Sequence, residues 1–86
     1  MNKEEFLSLG VSELARRTNI NKGTLSKYFS PNNPETPTWK NIEKMAVSWQ
    51  VSAEKVMEFI KARRLQNYKN LKIKVADAKR NLLETA

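Results

Sequence analysis

Apolar residues recur every three or four positions along most of this 86-residue chain, the spacing of helices that bury one face, and clusters of turn formers interrupt them. Phe6 and Leu9 give an inward side to a short first helix over Asn2 to Leu9, which Gly10 breaks. A second helix is predicted from about Val11 to Thr18 and a third from Lys22 to Phe29, with Asn21 as the N-cap that accepts a free backbone N–H. The loop SPNNPETP, Ser30 to Pro37, is dense in turn formers, and its prolines keep the third helix from extending. Thr38 caps a fourth helix that ends at Trp49, whose apolar side is predicted to place Trp39, Ile42, Met45, Ala46 and Trp49 in the core. Ser52 caps a fifth helix beginning at Ala53, with Val51 packing on Val56 as a hydrophobic staple. These elements make an all-α fold without internal repeats.

The segment Val11 to Ser30, VSELARRTNINKGTLSKYFS, adds a constraint between two of those helices. Counted from Val11, the fifth residue must be small where the next helix crosses, and it is Ala15. The ninth makes the turn, and it is Asn19, the non-glycine residue that best tolerates the left-handed region. Leu14, Ile20, Leu25 and Tyr28 fill the inward positions, which is the spacing of a helix-turn-helix. With Leu25 and Tyr28 buried, a rotation of about 100° per residue turns Gly23, Ser26, Lys27 and Ser30 outward, with Lys22 and Thr24 on the flanks. Lysine can donate to guanine O6 and N7, and the methyl of Thr24 can meet a thymine methyl. Gly23 has two readings: its missing side chain lets a duplex come close, or a glycine is merely tolerated in a first turn.

Together with the proline-rich loop, the Thr38-capped helix and the Val51–Ser52 step, these residues resemble the phage repressor, Cro and Xre-type helix-turn-helix family over about residues 2 to 60. The resemblance implies a compact five-helix repressor-like domain whose third helix approaches base edges by its N-terminus, making Lys22, Gly23, Thr24, Ser26 and Lys27 the candidates for groove contacts. It also implies contacts to the DNA backbone from the start of the second helix, from the loop and from the start of the fourth helix. Here those positions offer Ser12, Asn32, Asn33 and Lys40. Val11, where many relatives carry glutamine, has no side-chain donor.

The net charge of +7 changes the picture through its location. Residues 1 to 60 carry eight Lys/Arg against seven Asp/Glu, whereas residues 61 to 86 carry eight against two. A basic excess suits a partner rich in phosphates, and it also serves solubility. Residues 61 to 86 are therefore predicted to extend a domain of residues 1 to 60. In that extension Tyr68, Leu71, Val75, Ala78 and Leu82 recur at intervals of three and four, an apolar stripe suited to joining two copies of the chain, while Ile73 faces the opposite side. The alternative is a strand over LKIKV, Leu71 to Val75, with the apolar residues on one face and two lysines on the other.

Candidate chemistry is sparse. Without cysteine there is neither a disulfide nor a thiolate, and without histidine there are few options for a metal site or a general base at neutral pH. Glu54 and Glu58 lie four residues apart, as an exposed helix face explains better than a paired-carboxylate site does. The expectation is a protein that is not an enzyme and uses no cofactor. The opening MNKEEFLSLG has no apolar run of signal-peptide length, and no stretch is long enough to span a bilayer, which points to a cytoplasmic protein away from the membrane. The function implied is a sequence-specific regulator of transcription that binds double-stranded DNA as a homodimer on an inverted-repeat operator. The alternative is an antitoxin or repressor modulator whose tail binds a protein partner.

Overall fold

A computed structural model describes the backbone of residues 1–85 and the side chains of residues 1–76. Five helices follow one another: α1 (Lys3–Ser8), α2 (Val11–Thr18), α3 (Lys22–Tyr28), α4 (Trp39–Trp49) and α5 (Ala53–Thr85). Among the described residues there is no strand. Residues 71–75 belong to α5, so the strand alternative for LKIKV falls. A strand there would need a neighbouring strand for its backbone groups, and an all-helical fold offers none, whereas a helix satisfies them internally.

The helices begin where short polar side chains can take up free N–H groups. Asn2 Oδ1 accepts from the Glu5 amide at 2.7 Å, Asn21 Oδ1 from Gly23 at 2.8 Å, Thr38 Oγ1 from Asn41 at 3.2 Å and Ser52 Oγ from Lys55 at 3.2 Å. The caps expected at Asn21, Thr38 and Ser52 are all present. Asn19 ends α2 in the left-handed region with φ 57°, as its place in the turn requires. α4 closes differently, with Gln50 at φ 56°, the Gln50 amide donating to the Val47 carbonyl at 3.3 Å and the Val51 amide to that of Ala46 at 3.1 Å. That pair of bonds is a Schellman motif, and Val51 and Ala46, both half-buried, supply its apolar contact.

The core collects one face from every helix: Phe6, Leu14, Ile20, Leu25, Tyr28, Phe29, Ile42, Met45, Trp49, Val56, Phe59 and Ile60. At its centre the Phe6 ring stacks on Phe59 with centroids 5.2 Å apart, lies 5.0 Å from Trp49 and meets Phe29 edge-on at 5.8 Å. Each such side chain stabilises the fold by about 1.5–3 kcal/mol through burial alone. Trp39 is a correction to the expected core, being 71% exposed at the first position of α4. It sits about 60° from Ile42 around the helix and ahead of the packed layer, and Pro37, just upstream, is buried instead.

α5 has 33 residues, or about 50 Å at 1.5 Å per residue, which matches the longest extent of the molecule, 52 Å. It packs on α1 and α4 through Val56, Phe59 and Ile60 and runs unbroken across positions 60 and 61. Beyond Ile60 the same face turns polar and fastens the ends of other helices. Arg63 Nη2 donates to the Phe6 carbonyl at 2.9 Å and to that of Leu9, Arg64 Nε to Tyr28 at 2.7 Å, and Asn67 Nδ2 to Phe29 at 2.9 Å. All four carbonyls belong to the ends of α1 and α3, where positive charge is favourable, and the Phe6 carbonyl also accepts the Leu9 amide at 3.2 Å. The Arg63 guanidinium also lies 5.0 Å from the Phe6 ring and 5.6 Å from that of Phe29. Burial pulls its pKa down from the ordinary guanidinium value, yet a guanidinium stays cationic at neutral pH.

Candidate nucleic-acid interface

The site is built on the rigid union of α2 and α3. Thr18, buried at the end of α2, donates its hydroxyl to the Leu14 carbonyl at 2.8 Å and accepts the Ile20 amide at 3.3 Å, closing the turn from within. Leu14, Ile20, Leu25 and Tyr28 are all buried and Ala15 is half-buried against them, as the spacing required. The Tyr28 hydroxyl accepts a hydrogen bond from Asn41 Nδ2 at 2.8 Å, which fixes α3 relative to the start of α4.

On the face of α3 away from the core, Lys22, Gly23, Ser26 and Lys27 are exposed and Thr24 is half-buried. Gly23 does not have positive φ. A Cβ there would lie 3.0 Å from Asn21 Oδ1, so the missing side chain makes room for the capping oxygen that binds the Gly23 amide. This structural reason is independent of any partner.

The remaining candidates lie around this helix without converging on one point. Ser12 is exposed in the first turn of α2, whose N-cap, Gly10, supplies no side-chain acceptor. Asn32 and Asn33 are exposed in the loop, Asn33 at φ 53°, with Ser30 Oγ donating to the Asn32 carbonyl at 2.6 Å. Lys40 borders a different feature, an open depression of about 560 Å³ between α2 and α4 that it shares with Arg17, Asn19, Glu43 and Lys44. Val11 is half-buried against the core.

Charge is distributed unevenly over these groups. Glu13 accepts two hydrogen bonds from the guanidinium of Arg16 and one, at 3.0 Å, from that of Arg17, and these bonds hold its carboxyl down at about 2 from an ordinary value of 4.5. The other ion pair among the described residues is Lys55 with Glu58 at 3.1 Å, both side chains exposed. Lys22, Lys27 and Lys40 form none of these ion pairs. No group of three carboxylates that could hold a metal ion comes together among the described residues. No described helix is long and apolar enough to cross a membrane.

Sequence reasoning missed a set of residues on α5. Asn67, Asn70 and Lys74 face Ser26, Ser30 and Asn32 across a cleft of about 480 Å³, and they were passed over because a basic tail carries no apolar signal pointing back at the domain. The tail's apolar residues are also less tidy than one stripe. Tyr68, Leu71 and Val75 lie within about 60° of one another, but Leu71 borders the α3 cleft, the exposed Leu65 flanks Tyr68 on its other side, and the exposed Ile73 points elsewhere. The side chains of Ala78 and Leu82 lie outside the described residues. No protein-family model, curated protein or solved structure matches this chain.

Proposed function

We propose that the protein is a sequence-specific double-stranded-DNA-binding regulator of transcription, using α3 as its reading helix. The observation that carries this reading is the division of α3: Leu25 and Tyr28 lock it onto α2, while Lys22, Ser26 and Lys27 stand exposed on its other side with no carboxylate beside them. A helix held in that way projects small polar and cationic groups at a depth a major groove accepts. Ser12, Asn32, Asn33 and Lys40 then meet phosphates, and Tyr68, Leu71 and Val75 join a second copy so that two α3 helices face an inverted repeat. Such a protein acts in the cytoplasm and needs neither cofactor nor catalytic group.

The test is to select bound duplexes from a random pool and measure Lys22→Ala and Lys27→Ala on the selected site. Each should cost about 1–3 kcal/mol of specific binding where the lysine reads a base, and should reduce the salt dependence where it meets a phosphate. Unchanged affinity and salt slope in both variants would remove α3 as the reading element.

A second reading has its own support. Ile73 is 60% exposed and lies about 140° around α5 from Tyr68, off the Tyr68–Val75 stripe, apolar surface that one twofold seam does not use. An antitoxin or repressor modulator would hold a protein partner there, and would bind its DNA only in that partner's presence.

A further inference from the structure

We infer that the cleft between α3 and α5 is a phosphate site of the same duplex, with Ser26, Asn70 and Lys74 as its donors, so that α5 is a second DNA-contacting element beside the reading helix. This rests on the DNA-binding reading above and extends it to a part of the chain that reading uses for pairing.

Four observations carry it. First, Val56, Ile60, Arg63, Asn67, Asn70 and Lys74 follow one another at alternating steps of four and three, so they share one face of α5. That face is apolar where it meets the core and becomes a row of donors where it passes α3. Second, the row is held in place, because Arg64 and Asn67 bind the carbonyls of Tyr28 and Phe29 at the end of α3, setting the next turn of α5 beside Ser26 and Ser30. Third, the side chains of Arg64 and Asn67 tie the two helices together beside the cleft, and Asn70 and Lys74 have no partner among the described hydrogen bonds and ion pairs. Fourth, none of the residues lining the cleft is a carboxylate. α5 carries six Lys/Arg and no Asp/Glu between residues 59 and 76, and Asp77, the next residue of the same row, has a side chain outside the described residues.

The cleft presents the Lys74 ammonium, the Asn70 amide and the Ser26 hydroxyl beside Pro31 and Leu71, with no carboxylate among its lining residues, which favours an oxyanion over a cation. Ser26 lies on the outward side of α3, so an anion held there is continuous with whatever α3 touches. On a duplex that anion is a backbone phosphate flanking the groove.

The test uses the full chain on its selected duplex, with anisotropy titrations over a series of salt concentrations. Lys74→Ala should weaken binding several-fold and lower the slope of log affinity against log salt by about 0.9, the release of one phosphate's counterions. Asn70→Ala should weaken binding with little change of slope. Lys69→Ala, which removes the same charge from the opposite side of α5, should do neither to the same degree. Equal effects from Lys69→Ala and Lys74→Ala would overturn the site and leave only diffuse attraction. Failure of the unaltered protein to bind any duplex above background would overturn the DNA-binding reading and the site with it.

Discussion

Asn21 and Gly23 work as a pair, and each explains the other. Asn21 satisfies the free Gly23 amide in the first turn of α3, so Asn21→Ala should cost about 1 kcal/mol in chemical denaturation. Gly23→Ala sets a gain in helix propensity of up to about 1 kcal/mol against crowding of the capping oxygen, and should change stability by less than about 0.5 kcal/mol. A Gly23→Ala loss larger than that of Asn21→Ala would show that the glycine does more than clear the cap. Glu13 offers a pH test. Its carboxyl is depressed, so what its bonds to Arg16 and Arg17 contribute is complete above the ordinary value of 4.5 and vanishes as the pH falls through about 2. The cluster lies at the surface, so the contribution is small. Carboxyl chemical shifts should give a midpoint near 2, and one near 4 would mean the arginines are turned elsewhere.

At the level of elements, the crossing of α2 and α3 was the most legible feature of the chain, because small, turn-forming and apolar residues must each occupy fixed positions for it to exist. Ala15→Leu should overpack that crossing, cost roughly 1–3 kcal/mol, lower the melting temperature and reduce DNA binding with it. A stable, fully active variant would mean the helices do not meet there. The caps at Asn21, Thr38 and Ser52 were legible for the same reason, since each needs a short acceptor at one place. Trp39 was not, because helical spacing gives its direction around α4 but not whether another element covers the first turn. Gln50 was not, because glutamine carries no turn preference and its left-handed conformation follows from the Schellman bonds around it. The largest omission was the course of α5. Apolar periodicity reports contacts between side chains, and Arg63, Arg64 and Asn67 instead donate to backbone carbonyls, which every residue possesses.

For the whole molecule, α5 limits how the proposed pairing of two copies can be tested. Removing everything after residue 60 would also remove Arg63, Arg64 and Asn67 from the ends of α1 and α3, so loss of binding would follow from lost stability. Substituting the apolar stripe is cleaner: Tyr68→Ser with Val75→Ser leaves those ties and Lys74 intact. Light scattering should give twice the chain mass for the unaltered protein and the single mass for this variant. Affinity for a palindrome with half-sites about 34 Å apart should then fall far more than affinity for one half-site. An unaltered protein of single mass would assign the exposed residues of α5 to some other partner.

Because α5 continues without a break from the core to the cleft, the position of Lys74 is set by counting residues as much as by contacts. One extra residue inserted between Asn67 and Asn70 would swing the distal segment by about 100° and carry Lys74 out of the cleft, although every original side chain would still be present. Seven extra residues, nearly two full turns, would restore the facing and move Lys74 about 10 Å along the axis. An insertion in this stretch should therefore be tolerated only where it restores the helical phase and also brings a donor to the level of Ser26.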